Sequence, residues 1–157
     1  MSKFTEMGDA VASARKKWSD FRDRCWKDLD SIIKGFVEYC EIPREQVSFS
    51  PLDTDPEEGV QYAFAGAVHY AEDGYWHLGL VITLIPFQPL LIELCVNDRD
   101  GKVAVKAGRD GKPRTINLQN PTERAAFYDE IVEDVKRYFT EEPDFNDAPS
   151  MRKIGFN

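Results

Sequence analysis

The sequence predicts an α+β fold, a two-layer sandwich in which a long N-terminal helix and a C-terminal helix cover a five-stranded antiparallel meander. Apolar residues recur at helical spacing through the first forty residues, alternate through residues 60–118, and return to helical spacing after residue 121. The chain of 157 residues has the size of one domain, which we place at residues 1–142. We expect residues 143–157 to form an extended or disordered tail.

The first predicted element is an amphipathic helix over residues 9–40. Asp9 is the predicted N-cap, and Pro43 disfavours helical geometry at the residue before it. One apolar stripe runs along it and reaches beyond its start: Phe4, Met7, Val11, Ala14, Trp18, Phe21, Cys25, Leu29, Ile32, Phe36 and Tyr39.

The length of this helix raises the question of what covers its N-terminal end. A helix of about 30 residues is about 45 Å long, and five strands make a sheet only about 20–25 Å wide. We therefore expect Met7, Val11 and Trp18 to form the interface of a two-fold homodimer. Two alternatives stay open: the helix breaks near Gly8 or Gly35 and folds back, or a basic partner covers the stripe.

The middle of the chain predicts a loop followed by the sheet. Residues 43–59 contain three prolines and an acidic cluster, which indicate a solvated connector. Asp-Gly pairs at 73–74, 100–101 and 110–111 are typical of tight hairpins. The predicted strands are 60–71, 75–85, 90–97, 102–107 and 113–118.

The last predicted element is a helix over residues 121–140. Asn120 is its predicted N-cap, with proline at the first helical position and Glu123 in the first turn. An apolar stripe at helical spacing follows and includes Phe127 and Ile131.

The two histidines, His69 and His77, flank the first Asp-Gly turn. A three-residue loop would pair them across neighbouring strands, whereas a two-residue loop would place them on opposite faces. They could bind a divalent metal with Glu72 or Asp73, or act as an acid–base pair, and together with Glu93 they are the candidates for binding a ligand or a metal. We favour the simpler interpretation of partly exposed strand residues, with no metal and no cofactor.

The net charge of −8 is unevenly distributed. Residues 41–100 carry two Lys or Arg against eleven Asp or Glu, whereas residues 101–120 carry five against one. The acidic balance makes nucleic acid an improbable partner. The basic hairpin is a candidate patch for an anion or an acidic partner, although lysines also protect strand edges. Its residues are Lys102, Lys106, Arg109, Lys112 and Arg114.

Several classes of protein are disfavoured by the sequence. Charged residues near the start do not fit a signal peptide, and no apolar run approaches the length of a membrane span, so we expect a cytoplasmic protein. Three cysteines without a CxxC pair favour buried thiols over disulfides. Sequence motifs of P-loop, Rossmann, serine-hydrolase and zincin enzymes do not occur.

These observations favour a non-enzymatic protein-interaction module, similar in size and charge to adaptors, chaperones and immunity proteins. The alternative is a small-ligand-binding domain or modest hydrolase with a sheet pocket near His69 and His77.

Overall fold

The computed structural model describes residues 2–86, 88–141 and 152–154, and it has the predicted α+β class. Two long helices pack on one face of an antiparallel sheet. Along the chain, the elements are α1 (Lys3–Tyr39), a 3-10 turn (Arg44–Gln46), β1 (Val47–Ser50), α2 (Phe64–Ala67), β2 (His69–Tyr70), β3 (Trp76–Ile85), β4 (Gln88–Arg99), β5 (Lys102–Ala107), β6 (Arg114–Ile116), α3 (Pro121–Glu141) and β7 (Arg152–Ile154).

Helix α1 is one continuous helix of 37 residues, about 55 Å long. It begins earlier than predicted because Ser2, rather than Asp9, caps it by accepting a hydrogen bond from the Thr5 backbone N–H. Gly8 and Gly35 both lie inside it, so the predicted alternative of a break and a fold-back is wrong.

The sheet has the strand order β1-β3-β4-β5-β6, with β2 beside the first residues of β3. The Asp100-Gly101 pair makes a tight hairpin, and both residues have positive φ. In the turn between β5 and β6, the positive φ belongs to Gly108 and not to the predicted Asp110-Gly111 pair. The predicted tail lies outside the described residues except for β7, which pairs in parallel with β4.

Two sequence-based boundaries are wrong. The predicted strand over 60–71 is instead a short helix, α2, followed by the two-residue β2, because the run from Ala63 to Ala67 lacks the β-branched side chains that favour a strand. The predicted loop over 43–59 contains β1, which pairs with β3 from Val47 to Ser50.

The hydrophobic core lies between the two long helices and the inner face of the sheet. Leu78, Leu80 and Ile82 of β3 and alternating residues of β4 pack there against Leu29 and Ile131 of the helices. Because side chains alternate along a strand, the residues between them point to the opposite, outer face. In the described part of the chain, neither α1 nor α3 has the apolar length that a bilayer crossing requires.

Candidate functional site

A buried polar cluster occupies the outer face of the sheet. His77 on β3 lies opposite Cys95 on β4, and Cys95 lies opposite Lys106 on β5. Glu93 precedes Cys95 by two residues and therefore points to the same face. All four side chains are almost completely buried, with relative exposures from 0 to 6%. We call these four residues and Asp73 the polar cluster.

His77 is the centre of the polar cluster because both of its ring nitrogens face other members. Its Nδ1 lies 2.6 Å from Oε1 of Glu93 and 3.3 Å from Sγ of Cys95. Its Nε2 lies 2.9 and 3.0 Å from the two carboxylate oxygens of Asp73. Carboxylates therefore flank the imidazole at both ends and fix the plane of the ring.

Asp73 is held in place by several donors from the turn that it belongs to and from β5. The Tyr75 backbone N–H donates to one oxygen, and Lys106 Nζ donates to the other at 2.8 Å. Partial burial opposes the charge of Asp73, but the hydrogen bonds from Lys106 and His77 outweigh it and lower the pKa to about 2. Lys106 also donates to the Arg109 carbonyl and lies 4.5 Å from the Tyr75 ring centroid.

His69 lies beside His77, in the register that a three-residue loop predicts. The two ring centroids are 5.4 Å apart, and His69 Nδ1 is 3.9 Å from an oxygen of Asp53. Burial is the main reason that the pKa of His69 is lowered, although Asp53 opposes this. Of the predicted ligand candidates, the structure thus brings His69, His77 and Glu93 together. The expectation that both histidines are partly exposed is wrong for His77, which is completely buried because β4 and the Asp73 turn enclose its ring.

The order Cys95, His77, Asp73 has the connectivity of a thiol nucleophile, a base and an orienting carboxylate. The environment of the thiol opposes that function. Burial, reinforced by the neighbouring Glu93 carboxylate, raises the pKa of Cys95. Reactive cysteines are partly exposed in electropositive surroundings, and Cys95 is 2% exposed.

The predicted basic patch is dispersed in the structure. Lys106 points into the polar cluster, whereas Lys102, Arg109 and Lys112 are exposed. Arg114 pairs with Glu130 of α3. These two residues line a groove of about 640 Å³ between α3 and the β5–β6 turn.

A pair of carboxylates, half-buried Asp28 and buried Asp98, lies between α1 and β4. Asp28 of α1 faces Asp98, which is 6% exposed and whose backbone N–H donates to Cys25 Sγ. Burial, together with the hydrogen bond and the charge of Asp98, raises the pKa of Asp28 to about 7.

The N-terminal part of α1 projects from the body of the protein. We call residues 3–17 the helical arm; every residue in it is exposed, including Phe4 at 81% and Met7 at 62%. Trp18 marks its base, where the indole is 45% exposed and packs against Tyr70 and Trp76. The arm extends about 22 Å beyond this contact.

The structure places Asp73, one of the two turn carboxylates that the sequence offers as partners of the histidines, against His77. Two further members of the polar cluster, Cys95 and Lys106, were not predicted from the sequence. The signal was the strand register: the pairing of β3 with β4 and of β4 with β5 sets positions 77, 95 and 106 side by side. None of the family models, curated proteins and solved structures compared with this chain matches it.

Proposed function

We propose that this protein is a non-enzymatic protein-interaction module that forms a two-fold homodimer through its helical arm. The observation that carries the proposal is the exposed apolar stripe on a continuous, projecting helix. Soluble monomers rarely leave such a contiguous stripe in water. Two copies paired around a two-fold axis would bury the same stripe on both chains.

The stripe has the spacing of a coiled-coil seam. Phe4, Val11 and Trp18 are seven residues apart, and Met7, Ala14 and Phe21 repeat seven apart between them. This alternation of three and four residues defines the two apolar heptad positions that pack between paired helices. The free part of the seam is short, so its burial must be completed by the aromatic residues at the base of the arm.

An antiparallel arrangement supplies this completion. If Val11 of one copy faces Ala14 of the other, the same register sets Met7 against the second copy's Trp18 and Phe4 against its Phe21. Trp18 and Phe21 line a shallow cavity of about 310 Å³ together with Tyr70 and Arg99. The tip of each arm would therefore occupy the base of the other.

The residues that flank the seam also suit this direction. Antiparallel pairing places Gly8 opposite the second copy's Arg15, and Ala10 opposite its Lys17. The small residues keep most of the basic side chains of the two copies apart. In this register Lys3 of one copy lies opposite Arg24 of the other. This like-charged pair is at the exposed ends of the seam, where solvent weakens the repulsion.

The alternative function, a ligand-binding or hydrolytic pocket, has less support. Four of the five side chains of the polar cluster are almost completely buried, and burial raises the pKa of its thiol. The groove along α3 is lined by charged residues such as Arg114, Glu130 and Asp134. Ligand pockets are mostly apolar with few convergent polar groups.

Sedimentation equilibrium of the full chain at micromolar concentration tests the proposal. We expect a mass near twice the 18.0 kDa of one chain. Val11→Glu should return the protein to a monomer, because each copy would bring an unpaired carboxylate into the seam. The matched control is Ala12→Glu, which adds the same charge on the opposite side of the arm and should stay dimeric.

A mass near 18 kDa for the unmodified chain at every concentration would contradict the homodimer, as would a dimer that survives Val11→Glu. Met7→Cys tests the direction. In the antiparallel register the two introduced thiols are about 16 Å apart and cannot form a disulfide, whereas a parallel seam would join them.

A further inference from the structure

Three different metal-ligand atoms converge inside the polar cluster. Nδ1 of His77, a carboxylate oxygen of Glu93 and Sγ of Cys95 all lie within 4.8 Å of one another. The three side chains are at least 96% buried. The pairing of β3 with β4 brings these three atoms together, because Glu93 and Cys95 share one face of β4 and His77 is the cross-strand neighbour of Cys95.

The contact of His77 with Asp73 determines what the three converging ligand atoms can bind. Asp73 accepts a hydrogen bond from Nε2–H of His77, which in the neutral imidazole leaves the lone pair on Nδ1. This lone pair points at the oxygen of Glu93 and the sulfur of Cys95. The nitrogen lone pair, the carboxylate oxygen and the sulfur face one another there, so a proton or a cation must lie between them.

We propose that His77, Glu93 and Cys95 bind a zinc ion, with Asp73 as the residue that orients the imidazole. A carboxylate that accepts the second N–H of a ligating histidine is a recurrent feature of zinc sites. Nitrogen, oxygen and sulfur together suit zinc, whereas calcium and magnesium prefer oxygen alone. The proposal departs from the sequence-based expectation that the protein holds no metal.

The rearrangement that zinc requires is small. Ordinary bond lengths in a tetrahedral site separate the nitrogen and oxygen ligands by about 3.4 Å, and the nitrogen and sulfur ligands by about 3.6 Å. The corresponding distances are 2.6 Å and 3.3 Å, so the Glu93 carboxylate must move outward by about 0.8 Å and the thiol by about 0.3 Å.

The proposed site would tie β3 to β4 where the turn after β5 closes over them. Gly108 of that turn donates its backbone N–H to the Glu93 carbonyl, and its own carbonyl oxygen is 3.9 Å from Cys95 Sγ. Three protein ligands leave one position of a tetrahedral ion for a further ligand from this side. The ion would therefore stabilise the outer face of the sheet.

Titration of the chelator-treated full chain with Zn²⁺, followed by calorimetry, tests the proposal. We expect one ion per chain. Cys95→Ser and Glu93→Gln should each weaken binding by at least about tenfold, and the positioning variant Asp73→Asn by about 10–100-fold. Cys40→Ser is the matched control: it removes a half-buried thiol elsewhere and should bind zinc normally.

Replacing Zn²⁺ by Co²⁺ gives an absorption signal that depends on direct ligation of the metal by sulfur and that would not change if Cys95 served only to support the fold. Cobalt bound to Cys95 produces a sulfur-to-metal charge-transfer absorption band, which should be present in the unmodified chain and in Val11→Glu, and absent in Cys95→Ser. Circular dichroism checks the folding of each variant. If Cys95→Ser does not fold, the band in the unmodified chain and the affinity of Glu93→Gln decide.

Three results would overturn the proposal. The first is the absence of stoichiometric zinc binding, which would leave a proton between His77 and Glu93. The second is bound cobalt without the sulfur band, which would indicate that the metal binds instead to the acidic loop around Asp53 and Asp55. The third is zinc affinity unchanged in Glu93→Gln.

Discussion

The contact between Gly35 and Tyr128 predicts that Gly35→Ala destabilises the unmodified chain but stabilises the Tyr128→Phe variant. Gly35 lies inside α1, where α3 packs against it. A Cβ atom added there would overlap the Tyr128 hydroxyl oxygen and lie 3.2 Å from the ring carbon Cζ. The hydroxyl itself is buried and has no hydrogen-bond partner within the described residues.

Two opposing effects set the magnitude for Gly35→Ala. Alanine stabilises a helix interior by about 1 kcal/mol relative to glycine, whereas overpacking a buried contact costs about 1–3 kcal/mol. We therefore expect Gly35→Ala to destabilise the unmodified chain by about 1 kcal/mol. Tyr128→Phe removes the unpaired hydroxyl and should itself be neutral or stabilising.

In the Tyr128→Phe background the overlapping oxygen is gone, and the ring needs to shift by only a few tenths of an ångström to relieve the 3.2 Å contact at Cζ, so Gly35→Ala should stabilise the protein by up to about 1 kcal/mol. The assay is urea unfolding of the four proteins at one concentration, which gives the interaction energy of the pair. Gly8→Ala is the control, because its added Cβ meets no described atom within 4 Å. A Gly35→Ala protein that gains stability with Tyr128 present would refute the reasoning.

Two further predictions concern the core and the acidic contact. Leu80→Asp and Ile82→Asp should each unfold the domain, because both residues face the helices and are at most 2% exposed, while Leu84→Asp, at a 51% exposed position, should leave the melting temperature nearly unchanged. The pKa of Asp28 is raised from 3.8 to about 7, so its ionisation should lower the stability of the protein as pH rises between these values and should have a constant effect above them. The melting temperature of Asp28→Asn should therefore rise relative to that of the unmodified chain over this pH interval. Parallel curves of melting temperature against pH would contradict the shift.

The fold was largely predictable because its local signals agree with its packing. Asp100-Gly101 forms the hairpin that its chemistry favours, and Leu80 and Ile82 face the core that their alternation indicates. The segment over 60–71 was not predictable in this way. Aromatic residues there suggested a strand, but the alanine-rich run forms α2, and the edge position beside β3 goes mostly to β1.

The candidate site was predictable only in part. His69 and His77 flank a turn, so the loop length decides their pairing, and the sequence leaves that length open. Cys95 looks like an ordinary apolar strand residue, and Lys106 looks like a surface lysine. Their roles depend on registers between strands, which long-range packing fixes and local composition does not reveal.

The order of the strands has a consequence for how the chain folds. From β3 to β6, each strand lies beside its predecessor, so the pairing between them closes only short loops, and the entropy lost at each closure is small. Strand β1 is separated from β3 by 25 residues of intervening chain, and the core-forming half of α1 is still farther from β4. We therefore expect the β3–β4 hairpin to be structured in the transition state, while β1 and α1 dock later and mainly control the unfolding rate.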